Sequence, residues 1–169
     1  QTCALPISQS YAHAYGLPVV IARCGNIYGG GDLNPNRIVP ATIRSILKGR
    51  RPIIRSDGTY LRDYVYVKDI VRAYVWLAEA MMRDPDLRGE AFNFGLDQPV
   101  SVMELVRLIL SIMGSDLEPI IENTATGEIR RQYLNSAKAR RMLSWTPAYG
   151  LRQGLAETVE FYKREVAAS

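Results

Sequence analysis

The chain has 169 residues, with 47% apolar and 22% charged side chains and a formal net charge of +4. That is enough for one domain with a real core and too little for two large ones. No apolar run approaches the roughly 20 residues needed to span a bilayer, and two cysteines make no disulfide framework. The excess positive charge is carried by arginine, in pairs at Arg50-Arg51, Arg130-Arg131 and Arg140-Arg141. It fits a nucleic acid, an anionic small molecule or a solvated basic surface, but the scatter of acids among the bases weakens the first of these.

Ser8–Tyr15 reads as the end of a helix closed by Gly16. Pro6 is expected to interrupt any helix running into it. Pro18–Arg23 (PVVIAR) is a short apolar run, as in a parallel strand buried on both faces. A glycine-rich stretch follows, and Asn36 is placed to cap a helix through Lys48. Pro52–Arg55 predicts a strand, SDGT a turn, and Tyr60–Val67 a second strand. Asp69 then sits in the first turn of a helix reaching Met82, where a carboxylate suits the dipole.

Ala91–Gly95 predicts another strand. Ser101 and Glu104 have the spacing of a capping box, with Val100 and Leu105 as its hydrophobic staple. The helix they open ends near Gly114. Ile120-Ile121 and Tyr133-Leu134 suggest strand fragments, Ser136 a cap for a short helix to Leu143, and Leu151, Leu155, Val159 and Tyr162 one face of a last helix. Trp76 and Trp145 read as packing residues. Alternating strands and helices give an α/β chain with a smaller α+β portion attached.

The first seven residues, QTCALPI, differ from the rest. They match the translation of a common sequencing adapter, so residues 1–7 are expected to be non-native and the natural chain to extend further upstream. Cys3 then carries no role. His13 is the sole histidine and reads as a helix-surface residue, so no metal site is expected.

ARCGNIYGGGD, residues 22–32, poses the functional question. Its glycines, Gly25, Gly29, Gly30 and Gly31, do not have the G-x-G-x-x-G spacing of a dinucleotide fingerprint, and no Gly-Lys-Ser/Thr follows. The stretch is therefore not expected to be a cofactor phosphate loop.

The same residues resemble the Arg-x-x-Asn-x-Tyr-Gly-Pro segment of the extended short-chain dehydrogenases, the nucleotide-sugar epimerases and dehydratases. SDGTYLRDYVYVKDIVRAY is similar to that family's Gly-x-x-x-Arg-Asp block. FNFG matches its Tyr/Phe-Asn-Ile/Leu-Gly, and YLNSAKARRMLSWTPAYGLRQGLAETVEFY its C-terminal end. The resemblance covers Ser8–Lys163. Gly30 stands where most members have Pro, and with RIVPATIRS and RPIIRSDGT the chain looks most like the CDP-glucose 4,6-dehydratase branch.

The resemblance implies a fold and a set of contacts. The fold is the C-terminal part of a Rossmann-type parallel sheet plus a smaller substrate-binding domain. Residues 8–25 would end the NAD-binding domain. Residues 26–169 would be mainly the sugar-nucleotide domain, returning to the sheet near 60–95. Asn26, Arg37, Arg62, Asn93, Arg131, Gln132 and Tyr133 would bind the substrate, with Arg62 on the pyrophosphate. A guanidinium forks onto a diphosphate better than an ammonium does. Cys24 and Gly25 would touch NAD. Asp63 and Asp69 read as structural. Arg131 and Gln132 fall on opposite faces of any strand, which leaves open which of them turns to the ligand.

The family's catalytic Tyr-x-x-x-Lys is not present around Tyr11–Tyr15, so no catalytic residue is expected in this chain. The parent is expected to be a cytoplasmic homodimer that binds a nucleotide sugar, without nucleic acid or membrane. Other reactions of the superfamily, and a non-catalytic sugar-nucleotide or nucleic-acid binder, remain as alternatives.

Overall fold

Residues 4–167 are described in a computed structural model. Helix α1 spans Ala4–Tyr15, followed by strands β1 (Ile21–Cys24) and β2 (Asn26–Tyr28) and helix α2 (Ile38–Leu47). Next come β3 (Ile53–Ile54), β4 (Leu61–Arg62), β5 (Tyr64–Tyr66), α3 (Val67–Arg83) and a 3-10 turn at Pro85–Leu87. Then follow β6 (Ala91–Phe94), β7 (Val100–Ser101), α4 (Val102–Met113), β8 (Ile120–Ile121), β9 (Arg131–Gln132), α5 (Ala137–Leu143) and α6 (Leu151–Ala167). The adapter expectation for Gln1–Cys3 lies outside the described residues.

The strands pair in four small sheets. β1 runs parallel to β6, β2 to β5 and β3 to β8, while β4 lies between antiparallel β7 and parallel β9. Parallel partners need long crossovers, and here helices supply most of them. The α/β expectation holds.

Two larger cores carry most of the packing, beside a smaller cluster of Ile54, Val106 and Leu110. Tyr28, Tyr64 and Tyr66 of the β2–β5 pair meet Val39 and Ile43 of α2, Leu105 and Ile109 of α4, and Leu155, Val159 and Tyr162 of α6. The other faces carry Val65, Ile70, Ala73 and Leu77 against Phe92, Phe94, Leu143 and Trp145. Trp145 is wholly buried, edge-on to Phe94 at 4.9 Å. Asp69, also wholly buried, accepts hydrogen bonds from the Ala148 (2.8 Å) and Tyr149 (3.1 Å) amides and pairs with Arg72. It ties α3 to the loop before α6, the structural role expected of it. The Ser101–Glu104 capping box is present in full.

Several boundaries differ from expectation, each for a local reason. Pro6 lies inside α1 rather than before it, because first-turn N–H groups have no intrahelical partner to lose. Arg37, not Asn36, is the N-cap of α2, with no side-chain cap, and the Asn36 amide bonds Asn34 instead. Tyr60–Val67 is two strands, interrupted where the Asp63 carbonyl turns to accept the Asn26 amide at 2.7 Å. The last sheet strand is Arg131–Gln132 rather than Tyr133-Leu134. β1 is only half-buried, since among the described residues it pairs with β6 alone and Arg23 faces solvent. Trp76 is 37% exposed on α3, so only Trp145 of the two tryptophans is a core residue.

Candidate active site: an arginine-lined cleft

The chain changes sheets at Gly25. The Gly25 amide still donates to Phe94 O (2.9 Å), in the β1–β6 pair, whereas the next amide, of Asn26, donates to Asp63 O in the β2–β5 pair. A Cβ at Gly25 would lie 2.9 Å from the Asp63 carbonyl oxygen, so only glycine permits this crossing. Ligands of open α/β sheets bind outside the carboxyl ends of strands where the topology switches. A cleft of about 590 Å3 opens at this point.

Six of the residues expected from the sequence line it: Cys24, Gly25, Asn26, Arg37, Arg62 and Gln132. β4 carries Arg62, whose side chain is 13% exposed. Its Nη1 donates to Leu61 O (2.9 Å), its Nη2 lies 3.4 Å from Glu128 Oε2, and its guanidinium stacks 5.7 Å from the Tyr60 ring centre. β9 places Gln132 beside Arg62 in parallel register. That settles which of the two neighbouring residues faces the cleft: Gln132 lines it, and Arg131 pairs with Leu61 and lies outside it. Arg37, at the start of α2, reaches Asp32 at 3.3 Å.

Tyr133 is 53% exposed and outside the lining. Asn93 is outside it too; its Nδ2 donates to Asn135 O at 3.0 Å, which fastens β6 to the start of α5. Neither residue is brought to Arg62.

Three contributors were missed in the sequence. Arg55 lines the cleft and donates to Asn36 O at 3.4 Å, while its own carbonyl accepts the amides of Thr124 and Ala125. Asp32 and Asn36 also line it. The available signal was position: Arg55 stands at the end of a predicted strand, directly before a turn. Three guanidiniums thus face one cavity with two carboxylates, those of Asp32 and Glu128, which leaves the lining net positive and suited to an anionic ligand.

Burial raises the Cys24 thiol, with a hydrogen bond to Tyr74 opposing it, and Cys24 is a free cysteine. Burial likewise pushes Tyr64, on the cleft wall, up to about 12. Both groups are neutral near pH 7 and present no charge to a ligand. Cys24 and Gly25 lie side by side at the carboxyl end of β1.

The model of the NAD dependent epimerase/dehydratase family matches residues 2–95. The chain belongs to that family. A UDP-glucose 4-epimerase of Mycolicibacterium smegmatis is 32% identical over 92% of this chain and 49% of its own length. The crystal structure of a UDP-glucose 4-epimerase from Thermotoga maritima, determined with UDP-glucose, superposes with a TM-score of 0.86 at 32% identity, covering 96% of this chain and 51% of that one. A dTDP-glucose 4,6-dehydratase from Bacillus anthracis, in complex with NAD, gives 0.80 at 29%, covering 96% and 50%. This family member thus shares the Rossmann-like fold of those enzymes, and it spans about half the length of the relatives it matches.

Proposed function

We propose that the chain is the sugar-nucleotide-binding part of an NAD-dependent 4,6-dehydratase. Its substrate is CDP-glucose and its product the 4-keto-6-deoxy sugar. The observation that carries this reading is the convergence of Arg37, Arg55 and Arg62 with Asn26 and Gln132 on one cleft at a strand switch point. A nucleoside diphosphate supplies the two adjacent negative groups such a cleft needs, and guanidiniums bind them in fork geometry.

In this reading residues 8–25 end the dinucleotide domain. Residues 26–169 are mainly the substrate domain, returning to the sheet near 60–95. NAD, when bound, supplies the hydride acceptor, and Cys24 and Gly25 are the residues of this chain at its edge. The rest of the NAD site and the catalytic Tyr-x-x-x-Lys belong to sequence beyond these 169 residues, and residues 1–7 are non-native. The parent protein is a cytoplasmic homodimer that uses neither nucleic acid nor membrane. No helix among the described residues is long and apolar enough to cross a membrane.

Competition among CDP-, UDP-, dTDP- and GDP-glucose for the cleft, by calorimetry, tests the base. The 169-residue chain is expected to bind CDP-glucose best and to show no turnover. Sustained product formation by it would refute the assignment of catalysis to residues elsewhere. The 32% identity to UDP-glucose 4-epimerases favours a second reading, a UDP-hexose 4-epimerase. Preference for UDP-glucose would select it. Indifference to all four, with salt-sensitive DNA binding, would instead indicate a nucleic-acid module.

A further inference from the structure

We propose that the last helix, α6, which contributes no residue to the cleft, positions Arg37 for phosphate, with Tyr162 as the positioning residue and Asp32 as the link. The proposal rests on the reading of the cleft as a diphosphate site.

Three alternate residues, Tyr28 at the end of β2 and Gly30 and Asp32 of the loop after it, are seated on α6. The Tyr28 hydroxyl donates to Leu151 O at 3.2 Å. Gly30 lies so close to Phe161 that a Cβ there would fall inside the ring's contact surface. Gly30 has no positive φ, so its glycine answers to this approach and not to backbone conformation. The Tyr162 hydroxyl donates to Asp32 O at 3.0 Å. Tyr162 itself is wholly buried among Leu155, Val159 and Ile43, with the Arg44 guanidinium 5.0 Å from its ring centre.

Asp32 carries this fixation into the cleft. Its carboxylate accepts from the Asn34 amide (3.0 Å) and from Arg37 Nη1 (3.3 Å). The Arg37 side chain is 59% exposed and has no other ion pair among the described residues. Without the carboxylate it would sample many rotamers and lose entropy on binding. One N–H spent on Asp32 leaves four of the five guanidinium donors for a ligand. The path therefore runs Tyr162 hydroxyl, Asp32 main chain, Asp32 carboxylate, Arg37, phosphate.

The test uses the 169-residue chain, with Tyr162→Phe and, separately, Gly30→Ala. Amide hydrogen exchange of residues 29–37 and titration with UDP are read together. Both variants are expected to quicken exchange in that segment while leaving α4 unchanged. Both are expected to weaken UDP about fivefold, the value of one ordinary hydrogen bond. Phe161→Ala added to Gly30→Ala should restore both readouts, because it vacates the space the new methyl needs. Unchanged exchange in both single variants overturns the proposal. So does quickened exchange with unaltered UDP affinity in a chain that binds UDP. If the unmodified chain binds neither UDP nor CDP, the diphosphate reading fails, and exchange alone then decides whether α6 holds the loop and Arg37.

Discussion

Arg62 and Glu128 face each other across the cleft at 3.4 Å, the arginine 13% exposed and the glutamate 48%. The pair is unequal. Arg62 is held by its own strand through Leu61 O, whereas Glu128 sits on the loop before β9. On the diphosphate reading proposed above, an incoming phosphate takes the place of that carboxylate. Glu128→Gln is therefore expected to tighten diphosphate binding a few-fold, and Arg62→Ala to weaken it by about 10- to 100-fold, the value of charge-assisted hydrogen bonds. Arg62→Lys should recover only part of the loss, since an ammonium has no planar fork. Calorimetric titration with UDP separates the three.

Arg55 has no carboxylate within ion-pair distance among the described residues, and its one side-chain hydrogen bond, to Asn36 O, is long at 3.4 Å. Its charge is available to a ligand. Arg55→Ala should weaken UDP by roughly 3- to 10-fold and flatten the dependence of affinity on salt. Binding that keeps its full salt slope in the variant would remove Arg55 from the site.

Asp63 is buried at the sheet crossing, with Oδ1 accepting the Leu96 amide at 3.2 Å and Oδ2 without a hydrogen-bond partner among the described residues. Burial raises its carboxyl above the ordinary value of 3.8, the nearby Asp97 charge adds to the rise, and backbone N–H groups oppose it. Between that ordinary value and the raised one, the folded chain keeps a proton that the unfolded chain has released. Stability should accordingly fall as pH rises through this window. Asp63→Asn should flatten that slope, read from urea midpoints across mildly acidic pH.

Trp145 is wholly buried, and its indole N–H has no partner among the described residues. Trp145→Ala is expected to cost about 3–5 kcal/mol. Trp145→Phe should cost markedly less, because it keeps the contact with Phe94 while removing a buried, unsatisfied donor. Thermal unfolding of the two variants tests the difference.

Much of this was legible in the sequence wherever one residue type had one local job. The capping box at Ser101 and Glu104, the helix through Asp69, and Arg62 as a cleft residue all follow from short patterns. The cleft's other parts follow from contacts that no local pattern contains. Arg55 becomes a cleft residue because β3 pairs with β8, 67 residues later. Gln132, not Arg131, faces the cleft because β9 aligns with β4. Asn93, conversely, had a suggestive motif, yet its side-chain amide donates to the Asn135 carbonyl, outside the cleft.

The pairing of β4 with β9 also bears on when the cleft comes into being. Leu61–Arg62 meet Arg131–Gln132 across 70 residues, and the loop bearing Asp32 is held by Tyr162, 130 residues downstream. Contacts of such separation carry a large loop-closure entropy and form late. During synthesis Arg37, Arg55 and Arg62 emerge long before the strand and helix that organise them. A ligand that needs the assembled cleft therefore finds no site on the nascent chain, and its binding reports completion of folding.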